Sequence, residues 1–182
     1  MKFLVKDQCE DGSWFGRWGA NFVYGTGGVL RALDAVSLAA KEYSQRALTW
    51  LRLAQKPDGS FGESLHSYHD PGMKTQGNST ASQTAWGLIG LLAAVDTDDP
   101  GISNAVSYLV SRQNEDGSWS EEEFTGTGFP CVFYLKYHLY RNSFPLYALA
   151  RYRNQMQNLR EYHSLRLDPG EFRLRSGFQG AE

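Results

Sequence analysis

The chain has 182 residues, of which 41% are hydrophobic and 21% are charged, a composition typical of a globular fold and not of a disordered chain. Its 18 basic and 20 acidic side chains nearly balance, which argues against a nucleic-acid partner. We expect a cytoplasmic protein, because no apolar stretch is long enough to span a bilayer and residues 1–7 carry lysines but no hydrophobic region long enough for a secretory signal. Cys9 and Cys131 are too few for a disulfide framework or a zinc site, and we expect buried or half-buried apolar side chains at both positions.

A seven-residue pattern, Gln-x-x-Asp-Gly-Ser-aromatic, occurs three times, at residues 8–14, 55–61 and 113–119. The copies start 47 and 58 residues apart, a spacing typical of repeats that contain two helices each. We expect each copy to follow a helix, with the Gln amide bonded to carbonyls near the helix end. Asp-Gly then makes a turn with a positive φ, and the aromatic ring packs back against the helices.

Helices are predicted before the second and third copies, over residues 44–54 and 104–112, with Asp99 as a cap and Pro100 as the first helical residue. A second series is predicted over residues 29–43, capped by Thr26, and over residues 82–95, capped by Ser79 or Thr80. The second series is rich in Gly and Ala, which favours the close helix packing of an inner barrel ring. The pattern predicts an all-α fold of about two and a half helix pairs.

Acidic side chains cluster in three connections. Residues 96–99 read Asp-Thr-Asp-Asp and are predicted to form a solvated helix cap, and residues 121–123 are three glutamates predicted to lie in a solvated loop. Residues 63–70 contain Glu63, His66, His69 and Asp70, which lie close enough in sequence for a metal site. A structural role of Glu63 beside the second repeat is the interpretation that we favour, and no metal is expected.

The segment 126–140 is the most aromatic in the chain. If Pro130 lies in the first turn of a helix, four rings fall on one face of that helix, and Pro145 then ends or kinks it. The four are Phe133, Tyr137, Tyr140 and Phe144, with Phe129 at the mouth. Such rings form either a core or a pocket whose π faces stabilise a cation without trapping it.

The three repeats resemble the QW repeats of the triterpene cyclases. Residues 11–19, 126–140 and 144–152 resemble the C-terminal third of bacterial squalene-hopene cyclase, and the likeness covers about residues 3–157. It implies that residues 1–158 are the C-terminal part of an α/α barrel (toroid) of helix pairs, here an incomplete barrel. Residues 159–182 are then a divergent tail, for which disorder and a disrupted reading frame are both open interpretations.

The resemblance also implies a function and a set of residues. Family members convert squalene into hopene through carbocations, contact the membrane peripherally, at the inner face of the plasma membrane, and use no cofactor. Six residues match family positions that line the cavity and stabilise cations: Trp18, Tyr24, Phe129, Phe133, Tyr137 and Tyr140. These are the predicted substrate-binding residues.

The proton donor of the family lies in a D-x-D-D motif on the other barrel, N-terminal to the repeats. Residues 96–99 match these letters but not that place, so no catalytic acid is predicted here. We therefore expect a chain that is inactive alone. Two interpretations are open: a truncated or split gene, and a partner that is a separate N-terminal cyclase half. One alternative is a non-catalytic α/α-toroid module that binds an isoprenoid lipid or a protein. Another is glycan binding by exposed Trp14 and Trp119, which burial of these rings would rule out.

Overall fold

The computed structural model describes residues 2–167, and the side chains as far as residue 161. The described part is mostly helical, with one small antiparallel hairpin between the fifth and sixth helices. The elements in chain order are α1 Lys2–Asp7, α2 Phe22–Ala35, α3 Glu42–Ala54, α4 Ala81–Leu91, α5 Pro100–Ser111, β1 Gly126–Phe129, β2 Phe133–Leu135 and α6 Tyr140–Leu167. Two short 3-10 turns, Leu65–Tyr68 and Pro71–Met73, lie between α3 and α4.

Helix α4 is the centre of the fold. All of its residues are buried, and it packs against α2 on one side and α6 on the other, with α3 and α5 also in contact. Close approach depends on glycine, because a methyl group on Gly90 would lie 2.9 Å from the Cα of Gly27 in α2. The prediction that small residues bring these helices together is thus confirmed for α2 and α4.

The outer faces of the stack follow the predicted periodicity. Helix α3 buries a stripe at helical spacing, and α5 buries a shorter one. The α3 prediction for residues 44–54 is nearly exact. Helix α5 begins at Pro100, and the Asp99 side chain accepts a hydrogen bond from the Gly101 N–H, which confirms the predicted cap. These stripes are Ser44, Ala47, Leu48, Trp50, Leu51 and Ala54 in α3, and Ile102, Ala105 and Leu109 in α5.

The bounds of the second helix series, α2 and α4, differ from the prediction. We call these two helices and α6 the inner helices. Helix α2 begins at Phe22, so Thr26 lies inside the helix and is not its cap. The Thr26 hydroxyl instead accepts a hydrogen bond from the Trp14 N–H, at 2.9 Å. Of the two caps predicted for α4, the structure has Thr80, whose side chain accepts from the Gln83 N–H. Gly and Thr in the first turns of α2 concealed the true start.

The repeated turns have the predicted positive φ, but the prediction that the Gln amides bond to the end of the preceding helix is wrong. Their glycines have φ values of 95°, 85° and 82° at Gly12, Gly59 and Gly117, the left-handed region in which glycine is unstrained. In each copy the Gln amide donates to the carbonyl of the turn glycine. Two of these amides also reach the start of a following helix, because Gln8 donates to the Tyr43 carbonyl and Gln55 to the Gly101 carbonyl.

The aromatic rings that close the turns are buried. Trp14 is 1% exposed, Phe61 is fully buried and Trp119 is 3% exposed. Their backbone N–H groups donate to side chains of the inner helices, and the indole N–H groups of both tryptophans donate to carbonyls of α1 and α5. These rings hold helices together, and the hypothesis of glycan binding by exposed tryptophans is wrong.

The segment from Gly126 to Leu135 is a hairpin, so the all-α prediction is wrong there. Thr127 pairs with Tyr134 and Phe129 with Phe133, with a bulge at Gly128. The Val132 N–H donates to the Phe129 carbonyl, and the turn between them places Pro130 first and Cys131, with φ 64°, second. These are the positions that a type II turn gives to proline and to a positive φ.

The hairpin overturns three predictions about nearby residues. Pro130 is not in a helix. Of the two effects predicted for Pro145, ending a helix or kinking it, the first is wrong, because Pro145 lies within α6, which begins at Tyr140. Cys131 is exposed, since its turn is at the surface, whereas Cys9 is half-buried as expected. Helix α6 continues to Leu167, and most of the predicted tail, residues 159–182, lies outside the described residues.

Candidate functional site

Three aromatic side chains surround Trp86. We call the four residues the aromatic cluster, and they are Tyr24 in α2, Trp86 in α4, and Tyr140 and Phe144 in α6. Trp86 is buried in α4, and its ring makes edge-to-face contacts with the other three. The ring centroids are 4.9 Å from Tyr24, 5.3 Å from Phe144 and 5.9 Å from Tyr140. Since each helix supplies a ring, the cluster is fixed by the packing of α2, α4 and α6.

A bridge between Gly19 and Gly126 lies against the cluster and joins it to the hairpin. A methyl group on Gly19 would lie 2.6 Å from the Tyr24 ring, and one on Gly126 would overlap the ring of Tyr137. The Tyr137 ring in turn lies 4.7 Å from that of Tyr140. Glycine is required at both places because the aromatic rings lie directly on the backbone.

The hairpin carries a second aromatic pair. The rings of Phe129 and Phe133 lie 5.6 Å apart in an edge-to-face contact, and the Phe133 ring occupies the space that a side chain at position 128 would need. Both rings are largely open, at 54% and 44% exposed. Trp18, at 49% exposed, lies beside β1, where its carbonyl accepts from the Thr127 N–H at 3.2 Å.

The predicted substrate-binding residues are thus arranged in three groups. Tyr24, Tyr137 and Tyr140 are joined by ring contacts through Trp86 or directly, Phe129 and Phe133 form the hairpin pair, and Trp18 lies beside the hairpin. The predicted helix face through Phe133, Tyr137, Tyr140 and Phe144 is wrong, because a strand, a connection and a helix supply these rings. Glycines in the strand and the positive φ at the turn are incompatible with a continuous helix.

A cavity of about 430 Å³ opens beside the aromatic cluster. Of the predicted residues, only Tyr24 lines it, together with Trp86 and Phe144 of the cluster. Sequence analysis missed the part played by Trp86, although its position in a Gly- and Ala-rich helix is a signal. The other lining residues are Leu4, Phe15, Gly16, Arg17, Gly25, Gly27, Gly28, Val29, Arg31, Ala32, Ile89 and Tyr147, so no carboxyl group lines the cavity within the described part of the chain.

The tyrosines of the cluster remain neutral. Burial raises the pKa of the Tyr24 phenol, and burial also raises the pKa of the Tyr140 phenol. At physiological pH both therefore present an uncharged ring, whose π face attracts a cation. The site combines apolar walls with electron-rich faces.

Two buried glutamates hold the ends of the inner helices. Glu63 is 5% exposed, and its Oε2 accepts from the N–H groups of Asn21 at 3.2 Å and Val23 at 3.0 Å, at the start of α2. Glu121 accepts from the N–H of Ser82 at 2.9 Å, at the start of α4. The prediction of a solvated loop is therefore wrong for Glu121, and the structural role expected for Glu63 is confirmed.

Both buried carboxyl groups have a raised pKa. Burial raises the pKa of Glu63 and of Glu121 above the ordinary value, and the hydrogen bonds from the helix N–H groups offset part of this effect. Neither carboxyl lines the cavity beside the aromatic cluster. Their contacts make them helix caps and not acids aimed at a substrate.

The remaining acidic motifs also have structural partners. Asp99 caps α5, while Asp96 and Asp98 are exposed, so residues 96–99 are the solvated cap that was predicted. In the 63–70 segment, His69 Nε2 lies 2.9 Å from the Tyr134 hydroxyl, and Asp70 caps the second 3-10 turn. Among the side chains that the structure describes, no three His, Cys, Asp or Glu are grouped so as to hold a metal ion.

Tyr68 stabilises the segment that carries Trp18. Its hydroxyl lies within hydrogen-bond distance of two carbonyls, that of Gly16 at 2.9 Å and that of Gly19 at 2.8 Å. Its ring also contacts Tyr134 of the hairpin, with centroids 5.9 Å apart. The connection between α3 and α4 therefore fixes both Trp18 and β2 relative to the inner helices.

Comparison with known proteins gives close matches along most of the chain. It is 47% identical over 156 residues to a squalene-hopene cyclase of Zymomonas mobilis, and 48% identical over 158 residues to one of Alicyclobacillus acidocaldarius. It is also 47% identical over 172 residues to a dammaradiene synthase of Dryopteris crassirhizoma. These matches cover 85–86% of this chain but only 24–25% of the relatives, so the chain spans about a quarter of their length.

A solved structure shares the fold. A type II terpene cyclase from Scytonema, in complex with geranylgeranyl dihydroxybenzoate, superposes with a TM-score of 0.63 at 21% identity, over 85% of this chain and 49% of that one. The family model described as the squalene-hopene cyclase C-terminal domain matches residues 1–154. The chain therefore belongs to the squalene-hopene cyclase family, and corresponds to the C-terminal domain of its members.

Proposed function

We propose that this chain supplies the cation-stabilising wall of a triterpene cyclase that acts on squalene. The observation that supports this most directly is the aromatic cluster around Trp86, which faces a cavity lined mainly by apolar and aromatic side chains. The names of the relatives add support, since several are squalene-hopene cyclases. The roles of the six predicted residues, Trp18, Tyr24, Phe129, Phe133, Tyr137 and Tyr140, are part of this proposal.

The chemistry of the wall follows from its rings. Each aromatic face stabilises a nearby cation by roughly 0.5–2 kcal/mol, more when water is excluded, and a neutral ring does not capture the cation as a strong nucleophile would. Tyr24 and Tyr140 keep their protons, since a phenol is neutral at physiological pH and burial raises the pKa of both further. A carbocation on the substrate is therefore held long enough for the next ring to close.

The wall does not make the first cation. Protonating an alkene needs a buried carboxylic acid aimed at the substrate, whereas Glu63 and Glu121 are bonded to helix N–H groups and residues 96–99 are a solvated cap. We propose that the acid is on a part of the enzyme outside this chain, and that the α/α barrel closes only with that part. The fourfold greater length of the relatives is consistent with this arrangement.

The proposed substrate class is a long isoprenoid. The relatives do not determine the carbon skeleton of the product. A hopene-forming and a dammaradiene-forming enzyme are equally similar to the chain, at 47% identity. The Scytonema enzyme holds a geranylgeranyl compound. We include squalene as the substrate because it is named in most of these relatives.

Incubation with squalene tests the proposal. The purified chain is incubated alone and with the part of the Zymomonas enzyme that lies outside the matched region, and products are identified by gas chromatography with mass spectrometry. Cyclised product only in the mixture is the expected result. Product from the chain alone contradicts the claim that the acid lies elsewhere, and absence of product and of association in the mixture contradicts the assignment as a barrel part.

The second candidate is a non-catalytic module that binds an isoprenoid lipid. It is favoured by the cavity itself, which is apolar and has no acid among its described lining residues. It predicts saturable squalene binding that is indifferent to the other part of the enzyme, and the same incubation distinguishes the two.

We also propose a cytoplasmic chain in peripheral contact with the inner face of the plasma membrane. Exposed Val132, Leu139 and Leu146 are apolar side chains suited to this contact. Within residues 2–167, no helix has the length and apolar character needed to span a bilayer. Flotation with liposomes tests the proposal, since a chain that stays with the soluble fraction contradicts it.

A further inference from the structure

A cluster of charged side chains lies beside the aromatic cluster, toward the C-terminal direction of α2 and α6 and on the same faces of these helices. Arg31 follows Tyr24 by seven residues, and Arg151 follows Phe144 by seven, so each lies about two turns, or roughly 10 Å, further along its helix. Arg31 and Tyr147 also line the cavity beside the cluster. We call this group the basic cluster, and its members are Arg31, Asp34, Tyr147 and Arg151.

The basic cluster is short of negative charge. Asp34 Oδ2 is shared by two guanidinium groups, at 3.5 Å from Arg31 and 3.6 Å from Arg151. Both distances are longer than the roughly 2.7–2.9 Å of a well-formed charge-assisted hydrogen bond. Two positive charges thus face a single carboxylate.

The donors of the basic cluster are also incompletely used. The Nε atoms of Arg31 and Arg151 are shielded from solvent and have no hydrogen-bond partner among the described residues. The neighbouring Arg31, and then Arg151, lower the pKa of the Tyr147 phenol, which shows that this phenol lies in the field of both positive charges. Each guanidinium has five N–H donors, so the donors of the basic cluster outnumber the acceptors around them.

We propose that the basic cluster binds a carboxylate side chain from the part of the enzyme that completes the barrel. A second carboxylate neutralises the excess charge and accepts hydrogen bonds from the exposed part of the two guanidinium groups, whose side chains are 35% and 16% exposed. This inference rests on the proposed function, because it identifies how the missing part of the barrel docks.

The neighbouring face of α2 has room for such a partner. The cavity runs along α2 past Gly28 and Ala32 to Arg31, and a methyl group on Gly28 would meet nothing within 4 Å. Small residues on an open helix face let another helix approach closely. The matched region is only 24% of the Zymomonas relative, and the rest of such an enzyme is the polypeptide that we propose for this face.

The test measures association of the full chain with the part of the Zymomonas enzyme outside the matched region. Titration calorimetry at low and moderate salt compares the wild type with Arg31→Gln, which leaves one neutral pair of Asp34 and Arg151. We expect binding at least tenfold weaker, with a flatter salt dependence. The matched control is Arg153→Gln, on an exposed position of α6 two residues from Arg151, which should bind like the wild type.

A second variant keeps the test decisive if Arg31→Gln folds poorly. Arg31→Lys keeps the charge but loses the planar pair of donors, and we expect weaker binding that retains its salt dependence. Equal affinity of wild type, Arg31→Gln and Arg31→Lys overturns the inference and leaves the proposed function intact. Failure of the wild type to associate contradicts the proposed function and the inference with it.

A competition arm identifies the source of the carboxylate. Palmitate supplies the same chemical group from a lipid. Palmitate that displaces the partner from the wild type, and binds Arg31→Gln more weakly, would assign the site to a lipid and overturn the proposed occupant. No displacement by palmitate supports a carboxylate from the polypeptide.

Discussion

The sharpest prediction concerns Glu63, which caps α2 from 40 residues further along the chain. Glu63→Ala removes the acceptor that the described part of the chain gives to the N–H groups of Asn21 and Val23. Hydrogen bonds to a charged group contribute about 1.5–3 kcal/mol each, and a donor left buried without a partner costs a similar amount. The two bonds set an upper bound on the loss.

The desolvation of Glu63 reduces this loss. Burial already raises the pKa of the carboxyl, which means that the ionised group is less favourable in the folded chain than in water. We therefore expect Glu63→Ala to lower the free energy of unfolding by about 2–4 kcal/mol, and not by the full sum. Glu63→Gln keeps an acceptor oxygen and loses the charge, so we expect a change within about 1 kcal/mol at neutral pH.

The pH dependence separates the charge from the hydrogen bonds. Because the folded pKa of Glu63 is raised, the folded chain binds more protons than the unfolded chain at pH values between the two pKa values. Stability from this group is fully present below the unfolded pKa and falls as the pH rises through the folded pKa. Asp58 has the opposite effect at lower pH, because a hydrogen bond from Ser60 lowers its pKa.

Urea unfolding followed by tryptophan fluorescence at several pH values between 4.5 and 8 measures these effects. The wild type should lose stability as the pH rises through this interval, and Glu63→Gln should show a smaller loss, with Glu121 supplying what remains. Glu10→Gln, at an exposed position, is the matched control. Equal stability of Glu63→Ala and the wild type, or an unchanged pH profile in Glu63→Gln, refutes the capping argument.

Three further predictions follow from the contacts. Phe133→Ala in the reconstituted enzyme should increase prematurely terminated products, because a less stabilised cation loses its proton earlier; an unchanged product distribution in mass spectrometry counts against the wall role. Gly27→Ala forces a methyl group against the α4 backbone and should cost about 1–3 kcal/mol, while Gly28→Ala meets open space and should gain about 0.5–1 kcal/mol; similar melting temperatures for the two would contradict the packing. Gln55→Ala breaks bonds to two carbonyls and Gln113→Ala breaks one, so denaturant titration should show about 1–2 kcal/mol for the first and less for the second.

Local chemistry explains what the sequence predicts well. The repeated turns are determined by residues within seven positions of one another, and the positive φ at Gly12 follows from Asp-Gly alone. The outer helices have a clear apolar stripe, and Asp99-Pro100 is a strong start signal for α5. These features do not depend on distant parts of the chain.

Long-range contacts account for the predictions that are wrong. Glu121 looks like a surface glutamate in a run of three, and only the start of α4, 39 residues earlier, gives it a buried partner. The helical spacing of the aromatic segment is a coincidence. The rings of Phe133 and Tyr137 pack against the backbone of Gly128 and Gly126, and this contact requires a hairpin. The helix pattern of Trp86 likewise does not reveal which rings surround it. The six site residues are predicted from the resemblance to a family and not from local spacing. That prediction therefore carries no information about how the six side chains are arranged relative to one another.

The capping glutamates explain how the repeats stiffen the site. In the second and third copies a glutamate follows the closing aromatic by two residues, at positions 63 and 121, and each caps the inner helix that follows the previous copy. The closing aromatic of each copy donates its N–H to the inner helix that follows it, through Thr26, Thr84 and Asn142. The second and third turns are therefore each bonded to one inner helix ahead and one behind, whereas the first turn is bonded to α2 ahead of it. Because Tyr24, Trp86 and Tyr140 belong to these same helices, the turns that hold the stack together also fix the rings relative to one another, which is the rigidity that a wall for a transient cation requires.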